Sequence, residues 1–419
     1  MVSYQWRCRK QIIAFILALV FFLSIDLSIG SKQGFAGEKT KKHLLSSESA
    51  LNRERTSKWR NYNRSERRVS VSKQDVMRLK KSSFWNSRPF QFSIPTANNS
   101  KLYVGVDAGV FYAIDVDKGE KLWKYKTSGP IQSQAFAQDD YVFFGDIDGY
   151  AYALNSDNGT EIWKKFLGSA ILSTPLVVDN RVYFLTDAGR LFSFDRNSGE
   201  EFWHTEAFGK KEGFSVRKGS TPVFYNGKIL FGNAAGMLFA YDTNGNLSWA
   251  RQLGDRDALV SDLDCKPLIT DKCIYVTTAD KQVFCIKPES SGEISWRVDS
   301  VGGVNDLLLV NDTLYVSGGG VVIAIVPENG NFIWEQDLDL SGISAPAILR
   351  DVMVVAATHG KFYLIDPKNG DILSSRYIKG GGTFSDPIFV NDRLILLSNS
   401  GRLYSFEIKE KPPKKRKSN

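Results

Sequence analysis

Catalysis needs side chains that can exchange protons, attack an electrophile or hold a metal, and this 419-residue chain places such groups without the spacing that chemistry requires. Of its three histidines, His43 falls in a polar N-terminal stretch, while His204 and His359 have no evident Ser, Cys or Asp partner for nucleophilic or general-base work. The acid pairs Asp115/Asp117 and Asp146/Asp148 alternate like calcium ligands. They stand, however, next to turn glycines, where Asp is favoured because its carboxylate caps backbone N–H groups. Cys265, Cys273 and Cys285 lack the tight C-x-x-C spacing of a metal site, which leaves buried thiols or one disulfide. No catalytic residue, metal or cofactor is therefore expected, and a structural role suits the histidines better.

The elements that carry these residues form a repeat. The stretch Pro175 to Trp203 alternates apolar residues (Val182, Phe184, Leu191, Phe194) in short runs split by Asp179-Asn180, Ala188-Gly189 and Ser198-Gly199, the pattern of a small antiparallel meander. Eight copies start at Pro95, Ala135, Pro175, Pro222, Pro267, Leu307, Pro346 and Pro387, 39 to 47 residues apart. Four strands in a period of about 40 residues are the signature of a β-propeller, and the helical 3.6-residue period is missing here. The expected fold is all-β, an eight-bladed propeller of four-stranded antiparallel blades.

Within each copy a glycine tends to follow the second strand, and an Asp or Asn closes the third, with a glycine three or four residues on, as in Asp115/Gly119 and Asp195/Gly199. The fourth strands carry Trp123, Trp163, Trp203, Trp249, Trp296 and Trp334, each expected to pack between adjacent blades. The last copy stops after its third strand, at Phe406 to Ile408, whereas Ser83-Phe84-Trp85-Asn86 supplies a spare fourth strand ahead of the first copy. Trp85 is thus expected to complete the last blade and to leave no open sheet edge.

Outside the ring, residues 1–37 have the layout of a secretory signal: Arg7, Arg9 and Lys10, then an apolar run from Ile12 to Ile25, then small residues. A signal anchor is the alternative if the run extends to Ile29. Cys8 precedes the apolar run, so it cannot be the acylated cysteine of a bacterial lipoprotein. Residues 38–81 hold fourteen Lys or Arg against five acids and are expected to be a disordered basic linker; 409–419 is expected to be a basic tail. The ring, residues 82–408, then holds 30 basic and 39 acidic residues, so the net charge of +8 belongs to the ends. Lys414 to Lys417 could suit nucleic acid, but export argues against that partner; the expected reading is a solvated tail, with anionic lipid or peptidoglycan-associated surfaces as the contacts open to it.

The stretch Ala113 to Trp123 resembles the repeat of the pyrroloquinoline-quinone dehydrogenases, without the adjacent cysteines or C-x-x-C-H haem site of those enzymes. A resemblance over the whole ring, Trp85 to Ile408, is to the outer membrane protein assembly factor BamB family. It rests on Phe214-Ser215-Val216-Arg217, Ser261-Asp262-Leu263-Asp264 and Val304-Asn305-Asp306, and on a seventh copy without tryptophan, where Ser375 stands. Family members are usually lipoproteins, and this chain has no lipobox.

That resemblance implies a non-enzymatic scaffold facing the periplasm, associated with the outer membrane. It would bind the β-barrel insertase subunit of the assembly complex and assist nascent outer-membrane proteins, with Phe214, Val216, Arg217, Asp262 and Asp264 as partner-binding residues. Loop lengths point to the same region. Trp203 to Pro222 spans nineteen residues and Trp249 to Pro267 eighteen, against eleven or twelve elsewhere, and neighbouring extensions on one face are where binding commonly resides. Asp262 and Asp264 are expected to point outward around an inward Leu263. The alternative function is a propeller that binds a small ligand or quinone cofactor in its central channel.

Overall fold

The computed structural model describes residues 68–79, 91–206, 219–255, 261–280, 282–299, 304–338, 340 and 342–411. Their strands build eight four-stranded antiparallel sheets, the blades of an eight-bladed propeller. Blades 1 to 7 span residues 96–126, 136–166, 176–204, 223–252, 268–299, 304–337 and 347–377, each a meander of consecutive strands. Blade 8 combines three strands from 388–411 with one from the N-terminal side.

In seven of the eight copies the repeat start lies one residue before the inner strand, as Pro95 precedes Thr96–Asn98 and Pro387 precedes Ile388–Val390. The sixth inner strand, Val304–Val310, begins earlier and takes up the extra length in a bulge between Val304 and Asp306. The second and third strands are almost wholly buried, because a blade in a ring is covered on both faces. Strand Lys101–Val106 is an example. The core is accordingly a ring of seams. One cluster joins Phe143, Ala151 and Trp163 of blade 2 to Val182, Phe184 and Phe192 of blade 3.

The ring is closed by a strand from the N-terminal side, but that strand is Arg68–Arg78, upstream of the one expected. It pairs antiparallel with the last strand, Arg402–Lys411, through ten residue pairs. Trp85 lies outside the described residues, and by register Asp75 takes the place in blade 8 that tryptophan takes elsewhere: Asp75 pairs with Ser405 as Trp123 pairs with Ala113. Part of the expected linker, and the first residues of the expected tail, are therefore strand.

The reason is an alternation hidden among basic residues. Val69 and Val71 pack in the seam toward blade 7, and Met77 and Leu79 in the seam toward blade 1. A bulge between Lys73 and Asp75 exchanges the two faces, which a plain period-two search does not register. Leu79 is then fixed from two sides, its N–H donating to Gly401 O at 2.9 Å and its carbonyl accepting from Tyr112 Oη at 2.9 Å.

The tryptophans lie between blades and share one geometry. The indole N–H of Trp123, Trp163, Trp203, Trp296 and Trp334 donates to a carbonyl of the next blade (Ser156, Arg196, Thr243, Pro327 and Pro367) at 2.9 to 3.1 Å. Each ring also covers a glycine of the next blade's last hairpin. A Cβ on Gly159 would stand 2.4 Å from Trp123, and Gly199, Gly245, Gly330 and Gly370 seat Trp163, Trp203, Trp296 and Trp334 in the same way. Trp249, half-buried, lies over Gly292. The hairpin glycines are therefore seats for indoles as well as turn residues.

Pairing also corrects the seventh blade. Ser374, not Ser375, stands opposite Leu364 where the other blades have tryptophan. Its absence follows from closure. A tryptophan there would need the last hairpin of blade 8 beneath it, and blade 8 has none, since its fourth strand comes from the other end of the chain.

Candidate docking face

In an up-and-down meander the fourth strand runs parallel to the second, so the links between blades and the hairpins joining second to third strands share one face. The two long links, from blade 3 to blade 4 and from blade 4 to blade 5, therefore adjoin. Phe214, Val216 and Arg217 fall in the first link and lie outside the described residues, as do residues 256–260 of the second.

The base of the second link is held tightly against blade 4. Leu263 donates its N–H to Asn233 O at 3.0 Å and is fully buried, with its side chain over Gly232. A Cβ on Gly232 would meet Leu263 Cδ2 at 2.1 Å. Gly236 and Gly254 close on the carbonyl of Ser261, and Gln252 Nε2 donates to Ala235 O and Gly254 O, both at 2.8 Å. Glycine and buried hydrogen bonds thus fix where the link leaves the ring.

Leu263 turns inward as the alternation suggested, but Asp262 does not turn outward. It is 3% exposed, and its carbonyl accepts from Ala279 N at 2.8 Å. The link runs between blades 4 and 5 at this point, so neighbours on either side can enclose successive residues, and strand alternation no longer decides exposure. Asp264 is half-buried. It and Asp306 stand close enough to Cys265 for their charges to add to burial, which pushes that thiol up to about 12. Two of the three stretches that carried the family resemblance are in this way brought together at the base of blades 5 and 6.

Cys265 has a role that the sequence alone did not suggest. Its sulfur accepts the N–H of Thr277 at 3.2 Å, twelve residues on. Ser133, Ser220 and Ser344 accept from Gly145, Gly232 and Ala356 at the same spacing, at 2.9 to 3.1 Å. A hydrogen-bonding side chain two residues before the repeat start was the available signal. Cys273 and Cys285 form a disulfide, the second of the two alternatives for the cysteines, next to the Tyr275–Cys285 strand pair.

The remaining chemical groups are tied into turns. Asp146 is fully buried and accepts from Gly129 N, Tyr150 N and Tyr152 Oη at 2.7 to 2.9 Å; Asp115 Oδ1 caps the N–H groups of Asp117 and Lys118. Burial, then the charge of Asp146, raises the Asp148 carboxyl. His204 Nδ1 lies 2.6 Å from Glu201 and His359 Nδ1 2.9 Å from Thr358 Oγ1, both exposed. Among the described residues no group of three or more His, Cys, Asp or Glu could hold a metal, and no helix is long and apolar enough to cross a membrane. Residues 1–37, where the signal or anchor was expected, lie outside them.

Comparison with known proteins agrees with the propeller fold and with the family resemblance. A family model described as "Outer membrane protein assembly factor BamB" matches residues 107–336 and 260–416. The curated protein of that description from Yersinia pestis is 24% identical over 169 residues, 39% of this chain and 42% of that protein. The one from Legionella pneumophila is 26% identical over 171 residues, 39% and 44% respectively. The chain thus spans less than half the length of these relatives. The crystal structure of BamB from Moraxella catarrhalis superposes with a TM-score of 0.67 at 22% identity, over 81% of this chain and 98% of that one. A europium-containing methanol dehydrogenase superposes at 0.65 with 14% identity, over 79% and 93%, which shows a shared propeller and nothing about chemistry.

Proposed function

The chain belongs to the outer membrane protein assembly factor BamB family, and we propose from that membership that it is a non-enzymatic scaffold which binds the β-barrel insertase subunit and assists insertion of outer-membrane proteins. The observation that carries the proposal is the family match across 107–416, which takes in both long links. The proposed site of action is the periplasmic side of the outer membrane, reached by export through the segment 1–37.

Docking is assigned to the face where the links adjoin. Phe214 and Val216 would serve as apolar anchors, and Arg217 and Asp264 as charges that set register and partner choice more than affinity. Asp262, being buried, would support the link and not touch the partner. Burying an apolar anchor beside oriented charges suits a protein partner better than a small ligand.

Co-purification from solubilised envelope tests this reading. Phe214→Ala, Arg217→Glu and Asp264→Arg should each lower recovery of the insertase subunit; melting should stay close to the parent for the two link positions, since substitutions on a docking loop usually change stability by within about 0.5 kcal/mol, and fall further for the half-buried Asp264. Asp262→Arg should instead destabilise the ring, because a buried position receives an unpaired charge. Undiminished recovery with all three folded variants would remove this face from consideration as the docking site.

A further inference from the structure

Among the described residues, the seam between blades 8 and 1 has the parts of an indole seat and no indole. Asp75 holds the tryptophan position in the closing strand, opposite Ser405. Among the described residues nothing stands within 4 Å of where a Cβ of Gly119, at the matching place in blade 1, would be, whereas the equivalent Gly159 is covered by Trp123. A cavity of about 110 Å³ occupies the position, walled by Leu102, Ile114, Ile395 and Leu403 and bounded by Val116 and Gly119. These are the residues that correspond, one blade on, to the walls around Trp123.

We propose that this cavity is a binding site for a flat aromatic ring carrying an N–H donor, an indole above all. It would lie over Gly119 with its N–H directed at the carbonyl of Val116. That carbonyl is the counterpart of Ser156 O, which accepts from Trp123 at 3.1 Å. It now accepts only a long 3.3 Å bond from Arg393 Nη1 among the described residues. The Thr243 carbonyl accepts an arginine and an indole together, so the two donors are compatible.

A second, independent observation lies on the cavity wall. Ser405 is 9% exposed, lines the cavity, and its hydroxyl finds no hydrogen-bond partner among the described residues. Such a group is destabilising while it stays unsatisfied, and a bound polar aromatic or a water entering with it would relieve that. The seam between blades 7 and 8 shows how the ring fills an unused position. There Leu364 replaces the Ala, Ser or Cys that faces tryptophan elsewhere, and it is fully buried. Blade 8 keeps the small Ser405, so its position stays open. An apolar cavity of about 150 Å³ takes up benzene, so the roughly 110 Å³ here encloses only part of a ring, and the remainder would lie in the open mouth.

The ring could come from a free metabolite or from a tryptophan side chain of a partner polypeptide, and both present the same chemistry. Fluorine NMR of 5-fluoroindole with the full chain should show saturable broadening at millimolar ligand, as expected for a fragment of this size. Unlabelled indole should reverse it. Competition by N-acetyl-tryptophanamide as strong as by indole would identify a side-chain source; competition by indole alone, a metabolite. Asp75→Trp fills the site from within and should abolish the broadening while raising the melting temperature. Ser405→Leu copies blade 7 and should weaken binding at least tenfold even if Asp75→Trp does not fold. No binding by the parent chain, or undiminished binding by folded Ser405→Leu, would overturn the proposal.

Discussion

Gly119 and Gly159 hold the same place in the last hairpins of blades 1 and 2, with φ of 66° and 73°. Alanine at either position meets the same backbone penalty, about 1 kcal/mol for a left-handed residue with a side chain. Only at 159 does the new methyl collide, 2.4 Å from Trp123 Cε3 and 2.6 Å from Cδ2. The indole has little room to retreat. Tyr103 and Phe111 lie behind it with ring centroids at 6.0 and 6.1 Å, and its N–H is committed to Ser156 O. Displacing it adds an overpacking cost of about 1–3 kcal/mol and roughly 1 kcal/mol of hydrogen bond. Gly159→Ala should therefore cost about 3–5 kcal/mol and Gly119→Ala about 1. For a ring of this size a kcal/mol corresponds to roughly 1.5 °C, so calorimetry should separate shifts of about 5–7 °C and 1–2 °C. Combining Gly159→Ala with Trp123→Ala should cost less than the sum of the two. Equal shifts for the two glycines would refute the account of the blade seams.

Further measurements test other parts of the molecule. A chain beginning at residue 80 loses Val69, Val71, Met77 and Leu79 from the seams, about 1.5–3 kcal/mol each, a total comparable to a whole domain's stability; it should show no cooperative melt, while one beginning at residue 66 should melt like the parent. Cys265 should resist iodoacetamide at pH 8 in the folded ring, because burial holds the thiol protonated up to about 12. Since its folded value is raised, whatever stability this thiol contributes is present below the unfolded pKa near 9 and is lost as pH rises above it, whereas Cys265→Ser should be well tolerated and remove that dependence. Reducing the Cys273–Cys285 disulfide, which spans twelve residues, should lower stability by about 3 kcal/mol on the loop-entropy account, read as a lower melting temperature in dithiothreitol. Pyrroloquinoline quinone with calcium and an alcohol should give neither turnover nor a melting shift; a shift at micromolar quinone would contradict the scaffold reading.

The sequence by itself determined the architecture, since propeller blades are local. Each meander is encoded within about 40 residues by alternation, turn residues and one tryptophan, and eight starts could be counted without any tertiary contact. The chain terminus lacking a fourth strand likewise demanded a strand from the other end. Which strand answered was decided in three dimensions. Ser83 to Asn86 looked suitable because it carries a tryptophan, but the two seams around blade 8 select a segment whose faces switch at a bulge, and Val69 to Leu79 does that while also satisfying Tyr112. The exposure of Asp262 was beyond local pattern for a related reason: between blades, neighbours from two sheets determine burial, and alternation speaks only for one. The glycine seats and the open place above Gly119 are of the same kind. They depend on which residue of the next blade stands opposite, and that pairing exists only once the ring has closed.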